Sequence, residues 1–488
     1  MSEIAEQGGL FDRALRRVTT LWRDMAERVT GAEEATVEDQ MRACLAGRGG
    51  EVSARNRAAK LAQAYLALDT EGRIGFLHTL VGFDSDAAGV RVAMERFAES
   101  TDPEERAVAK SRLRHALEPP RLRLLAQFST IPDGMKFLVD LRAEILLLMD
   151  GDRRLGPLQA DLKGLLANWF DVGFLELQRI DWNSPAALLE KLVQYEAVHR
   201  IRTWRDLKNR LDSDRRCYAF FHPRMPDEPL IFVEVALVQG LADSVQRLLD
   251  EKAPVLDPAH ADTAIFYSIN NCQRGLDGIS FGNFLIKRVV GVLGQEMPGL
   301  KAFATLSPVP GFCRWLHGRL KAEGAAPITE EEAATLRSAA PPPRAPEAAG
   351  CNGASPSGGT ALVAAETPAE TLARILARRG WLREEAVARA MEPVLLRLCA
   401  GYLLNEAAGH EGRRARDPVA HFHLSNGARV ERLDWRGDVS DKGLRESAGL
   451  MVNYLYDPAR IEENHEAYMG EGRRPAATSI RRLARGWN

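Results

Sequence analysis

The chain lacks any run of about 20 apolar residues, the length a helix needs to cross a bilayer, so no membrane-spanning helix is expected. It lacks a C-x-x-C pair as well. Its six cysteines (Cys44, Cys217, Cys272, Cys313, Cys351, Cys399) are scattered, which argues against a zinc ribbon or a thioredoxin-like centre. Free thiols suit a reducing compartment. An excess of one charge sign is missing too. The formal net charge is −2, so nothing global points to nucleic acid or to an anionic membrane. The first residues, MSEIAEQGGLFDRAL, hold no apolar core of a secretory signal, and their glutamates argue against a transit peptide. The final Gly-Trp-Asn is not a peroxisomal signal. The expected location is the cytoplasm. Walker A and G-x-G-x-x-G patterns are absent, and Ser307-Pro308-Val-Pro-Gly311 has no G-x-S-x-G pattern around its serine.

What is present is an ordinary globular composition over 488 residues, with 45% hydrophobic and 27% charged residues. That length gives room for two or three domains. Residues 10–170 read as successive helices. Phe11, Leu15, Val18, Trp22 and Met25 recur at helical spacing. Thr36-Val-Glu-Asp resembles a capping box, and Asp102-Pro103 marks a helix start. Asp84-Ser85-Asp86 precedes the pattern Val90, Val92, Met94 and Phe97, and Pro119-Pro120 precedes an apolar helix at 135–149. Strands are expected at 217–221 and 230–237 around the turn HPRMPDEP that carries His222, with a helix at 241–249. The expected fold class is therefore α+β: an N-terminal helical domain at 1–172 and a mixed domain at 173–488. A segment at about 323–370, rich in Ala, Pro, Gly and Ser and free of aromatics, reads as a surface insertion with at most a short helix at 330–336. Helix is expected again at 371–405, and the last twenty residues read as peripheral.

The stretch 263–315 organises the chemistry. A strand at 263–269 runs into a loop with Gly275, Gly278 and Gly282. A helix begins near Gly282, and a strand at 300–306 leads to Ser307-Pro308. A glycine loop at a helix N-terminus can hold an anion, because free N–H groups and the helix dipole point the same way. It can equally be a tight βα connection. Arg274, Lys287 and Arg288 add positive charge, or form a solvated face. Ser307 can be a reactive hydroxyl or a turn residue. His421 and His423 alternate as on a strand and would share one face. No third ligand follows at metal-binding spacing. Asn426-Gly427 reads as a hairpin turn before a strand at 428–435. A helix is expected at 444–456, with Ser440 and Asp441 placed to cap it.

Four stretches, HPRMPDEPLIFVEVAL, SINNCQRGLDGISFGNFLIKRVV, TLSPVPGF and HFHLSNGARVERLDWRGDVSDKG, occur in this order. Together they resemble the malonyl-CoA decarboxylase family. The resemblance implies a helical N-terminal domain with oligomer contacts, hence a homo-oligomer (dimer or tetramer), and a C-terminal domain of the GNAT-type acetyltransferase fold. It implies conversion of malonyl-CoA to acetyl-CoA and CO2 with neither metal nor organic cofactor. The family's serine, its proton acceptor, falls on Ser307, and its proton-donating histidine on His423. The acyl-CoA loop falls on Asp277, Gly278, Ile279, Ser280, Phe281, Gly282 and Asn283, and an active-site tyrosine, counted with them as substrate-binding, on Tyr456. This loop departs from the Q/R-x-x-G-x-G/A form common in acetyltransferases. An acyl-CoA N-acyltransferase on the same fold and a non-catalytic malonyl-CoA sensor are the alternatives.

Overall fold

The computed structural model describes residues 22–23, 25, 36–47, 50–279, 284–322, 327–341, 366–408 and 412–485. Phe11, Leu15 and Val18 lie outside them, as do the loop residues Ser280, Phe281, Gly282 and Asn283 and most of the expected insertion. Packing divides the chain into two units. The first takes Met1–Gln178, Ala219–Phe232 and Asn271–Phe281; the second takes Arg179–Tyr218, Val233–Asn270 and Gly282–Asn488.

The first unit is mainly helical, and its sequence signals act where they were read. Thr36 and Asp39 form a reciprocal capping box that opens Val37–Leu45. Asp86 caps Ala87–Glu99, and Asp102 caps Pro103–Leu117 with proline at the first turn. The capped helix Ala87–Glu99 nevertheless leaves Val92 and Met94 exposed, and Ala93 is its buried residue. The apolar helix is Gly134–Leu148. Its Phe137 meets Trp22, Tyr65 and Phe128 edge-on at centroid distances of 5.5, 5.9 and 5.1 Å. Buried aromatic pairs of this kind add about 0.5–1.5 kcal/mol each beyond area burial, as much as a helix cap contributes.

Among the described residues, eight strands form one sheet: β1 Glu176–Ile180, β2 Arg215–Phe221, β3 Ile231–Val238, β4 Thr263–Asn271, β5 Ala302–Thr305, β6 Ser307–Pro308, β9 Arg429–Asp434 and β10 Met451–Tyr456. The order is β1-β2-β3-β4-β5-β10-β6, and β9 also pairs with β10. A separate pair, β7 Ala407–Ala408 and β8 Arg414–Ala415, is antiparallel. In the second unit β4 and β5 are parallel, joined through the helix Phe284–Glu296. Strand β10 runs antiparallel to β5, β6 and β9. Alternation sorts the faces of β5 and β6. Ala304 and Leu306 enter an apolar cluster with Ala236, Ile265, Tyr267 and Met451, and Thr305 and Ser307 point the other way.

Several expectations fail for local reasons. Residues 419–424 are helical, not a strand: Pro418–Ser425 is a helix opened by Asp417 with proline at the first turn. Asn426-Gly427 is therefore no hairpin turn. Asn426 caps the helix C-terminus, and Gly427 takes φ +81° beyond it, the left-handed conformation that glycine adopts without cost. The expected helix at 444–456 stops early. Ser440 caps Asp441–Ser447, then Ala448 and Gly449 (φ +54° and +85°) reverse the chain into β10. Asp441 sits inside that helix rather than capping it. The helix expected at 241–249 shrinks to Val245–Leu248. The insertion is partly folded. Thr329 and Glu332 form a capping box for Glu330–Ala339, whose Ala333 and Leu336 are buried, and Arg397 holds Glu332 at 2.7 Å. The C-terminal stretch is not wholly peripheral either, since Ile480 and Ala484 of the helix Thr478–Arg485 are buried.

Candidate active site

Ser307 and His423, 116 residues apart, meet in the second unit with Oγ and Nε2 separated by 3.0 Å. The other ring nitrogen, Nδ1, lies 2.8 Å from the Tyr456 hydroxyl. All three side chains are buried. Burial pushes His423 down from 6.5 to about 3, because a charged ring in apolar surroundings loses its hydration. The same cause raises the Tyr456 phenol well above its ordinary value. At neutral pH the pair is thus a neutral imidazole beside a phenol that keeps its proton. One arrangement satisfies every group: the Tyr456 O–H donates to Nδ1, Nε2–H donates to Ser307 Oγ, and the Ser307 hydroxyl donates to Thr305 Oγ1 at 2.9 Å.

The sheet supplies the platform. Phe303 pairs with Tyr456 and Ala304 with Leu455, and the ladder resumes with Ser307 against Val452. Between these pairs side chains replace ladder bonds. Asn453 Nδ2 donates to the Thr305 carbonyl at 2.7 Å, and Tyr454 N–H donates to Thr305 Oγ1 at 3.1 Å. On the other side the β9–β10 register shifts between Asn453 and Tyr454. The Tyr454 ring stacks on His423 at 4.5 Å and 25°, and its neighbour Phe422 meets the imidazole edge-on at 5.1 Å. The imidazole is thereby held by hydrogen bonds at both nitrogens and by rings at its face and edge.

The helix Pro418–Ser425 sorts the two histidines. His423 points into the site, whereas His421 bonds the Tyr468 hydroxyl at 2.7 Å. On a helix, residues two apart lie far from one another around the axis, so they do not form the shared face expected from a strand. Among the described residues, no group of three His, Cys, Asp or Glu is arranged to hold a metal ion.

The glycine loop is organised within the first unit. Residues Arg274–Leu276 form a short 3-10 turn, and Gly278 takes φ +72°. Asp277 is exposed and Ile279 buried. Arg142, itself buried, donates to the carbonyls of Gly275 and Asp277 at 2.5 and 2.9 Å. A Cβ on Gly275 would stand 1.7 Å from the Val139 carbonyl oxygen, so this glycine serves close packing. In the second unit Lys287 is engaged by Glu462 at 2.6 Å.

Thr305, Tyr454, Asp417 and Arg142 were not picked out from the sequence. Asp417-Pro418 carried a legible signal, the same Asp-Pro start that was read at Asp102-Pro103. Thr305 had one in its i, i+2 spacing from Ser307 on a strand; Tyr454 and Arg142 had none, because their partners are distant in the chain.

Comparisons with known proteins converge on one family. Residues 173–487 match the malonyl-CoA decarboxylase C-terminal domain, and residues 83–170 match the N-terminal domain of the same family. The chain is 35% identical over 434 residues to the mitochondrial malonyl-CoA decarboxylase of Anser anser anser, covering 86% of this chain and 81% of that protein. It is 37% identical over 384 residues to the one from Rattus norvegicus, covering 76% and 72%. The crystal structure of malonyl-CoA decarboxylase from Agrobacterium vitis matches with TM-score 0.79 and 38% identity, over 92% of this chain and 99% of that one. The structure from Rhodopseudomonas palustris matches with TM-score 0.76 and 38% identity, over 92% and 100%. The chain belongs to the malonyl-CoA decarboxylase family.

Proposed function

We infer that this chain decarboxylates malonyl-CoA to acetyl-CoA and CO2. The observation that carries the inference is the meeting of Ser307, His423 and Tyr456 in a buried, directional hydrogen-bond chain, in a member of this family. Breaking the bond between the α-carbon and the carboxylate releases CO2 and leaves its electron pair in a thioester enolate. A donor aimed at the enolate oxygen is worth about 3 kcal/mol. The α-carbon then takes one proton, which solvent ultimately supplies. The resemblance makes His423 the proton donor; with a neutral ring it acts in this reading through Ser307, as a relay. Ser307 gives its proton to the α-carbon, Nε2–H restores the serine, the Tyr456 O–H restores the imidazole at Nδ1, and a proton from solvent restores the phenol. No imidazolium is needed, which fits a histidine held near 3 by burial. In this reading Ser307 turns its hydroxyl from Thr305 to the substrate.

We assign Asp277, Gly278, Ile279, Ser280, Phe281, Gly282 and Asn283 to the coenzyme A part of the ester. The GNAT-type frame belongs to the same reading. Its support is the parallel pair β4–β5 with a helix between the strands. A reaction without metal or organic cofactor, a homo-oligomer and a cytoplasmic location also belong to it. Among the described residues, the buried thiols of Cys44, Cys313 and Cys399 fit a reducing compartment.

The test is to mix purified chain with malonyl-CoA and follow acetyl-CoA and CO2. Turnover in wild type, with large losses in Ser307→Ala and His423→Ala, is expected. Absence of turnover in wild type refutes the activity, and full turnover in His423→Ala refutes the site.

A further inference from the structure

We propose that Asp417 is a positioning residue that holds Ser307 and His423 in register. The proposal deepens the reading above and rests on it for the role of that pair. Asp417 is fully buried and offers one oxygen to each of the two segments. Its Oδ1 accepts from Val419 and Ala420 N–H at 3.0 Å, opening the helix that carries His423. Its Oδ2 accepts from Gly311 N–H at 3.3 Å, four residues beyond Ser307. The Tyr402 hydroxyl donates to the same carboxylate from the helix Glu385–Asn405.

Capping alone does not explain this arrangement. A helix start needs one side-chain oxygen, and serine, threonine or asparagine supplies it as well as aspartate. Only a carboxylate presents two acceptor oxygens and no donor, which lets it take the helix N–H groups on one side and Gly311 on the other. The segment between Ser307 and Gly311 contains Pro308 and Pro310, whose fixed φ makes it stiff, so the position of Gly311 bears on that of Ser307. The approach is close. A Cβ on Gly311 would lie 2.2 Å from the Tyr402 hydroxyl oxygen. Asp417 touches neither Ser307 nor His423 directly; it acts through the two backbone segments.

Asp417→Ser separates the two roles, since serine keeps a cap but cannot also reach Gly311. In steady-state turnover below each protein's melting midpoint, kcat should fall at least about tenfold with KM for malonyl-CoA within about threefold. Wild-type kcat, or a raised KM alone, overturns the proposal. If Asp417→Ser does not fold, Tyr402→Phe decides. A kcat loss of about threefold or more at unchanged KM supports the proposal, and unchanged kcat overturns it. A readout independent of turnover is labelling of His423 by diethyl pyrocarbonate, followed by peptide mass spectrometry. It should be faster in the variant that folds, and equal labelling overturns the proposal. A wild-type chain that labels slowly but does not turn over malonyl-CoA would refute the functional reading without touching this one.

Discussion

Tyr456→Phe isolates one link of the relay. The ring is buried and sits 6.3 Å from the Phe266 ring, so phenylalanine keeps the packing and removes one hydroxyl. What is lost is the 2.8 Å contact to His423 Nδ1. The imidazole can change tautomer, but Nδ1 stays buried and without its partner in either form. Leaving a buried polar atom unpaired costs about 1–3 kcal/mol. If that loss falls on the transition state, kcat drops by about 5- to 150-fold. Substrate binding does not use the hydroxyl in this reading, so KM should stay within about threefold. Acetyl-CoA formation under steady-state conditions near neutral pH measures both constants, and a thermal melt separates lost stability from lost rate. A kcat within about twofold of wild type would refute the relay through Tyr456. A raised KM at full kcat would make Tyr456 a binding residue instead.

Two further outcomes follow from the same geometry. Burial holds His423 neutral down to about pH 3, whereas the unfolded chain takes up its proton near 6.5. Between those values the unfolded state binds more protons, so folding stability falls as pH drops, by up to about 1.4 kcal/mol per pH unit. His423→Gln removes that contribution. The wild-type melting midpoint should fall more steeply than the variant's on acidification below about pH 6.5, and parallel curves would sink the argument. Arg142→Met leaves the Gly275 and Asp277 carbonyls without their donor. KM for malonyl-CoA should rise about tenfold, the loss of one or two hydrogen bonds' worth of binding, with kcat changed less. An unchanged KM would remove this loop from substrate binding.

How far the sequence was legible depended on the range of the deciding interaction. Thr36-Val-Glu-Asp and Asp102-Pro103 were read correctly, since a cap is written within four residues. Strands β2, β3 and β4 were visible as β-branched and aromatic runs. The misreadings cluster at 417–456, where short apolar segments carry both periods. HFHL alternates like a strand, yet its helix is decided by Asp417 and Pro418 before it. Likewise MVNYLY looked helical until Ala448 and Gly449 turned the chain. Strand β10 forms because the edges of β5, β6 and β9 are there to receive it, a fact no local window contains.

The sequence by itself determined an α+β chain, the helical character of its first part, and, through four ordered motifs, the family and the pairing of Ser307 with His423 as candidates. The fold class and the helical first part rest on residue types and spacings that neighbours in the chain enforce, whereas the two candidate residues rest on the resemblance. Only the tertiary structure decided that the His423 ring is neutral and that Tyr456 bonds its far nitrogen. It also decided that one carboxylate, Asp417, joins both segments of the pair. Burial and hydrogen bonding between segments 33 to 116 residues apart set these features. They exist only after the chain has packed, when water has left and each polar atom must find its partner inside.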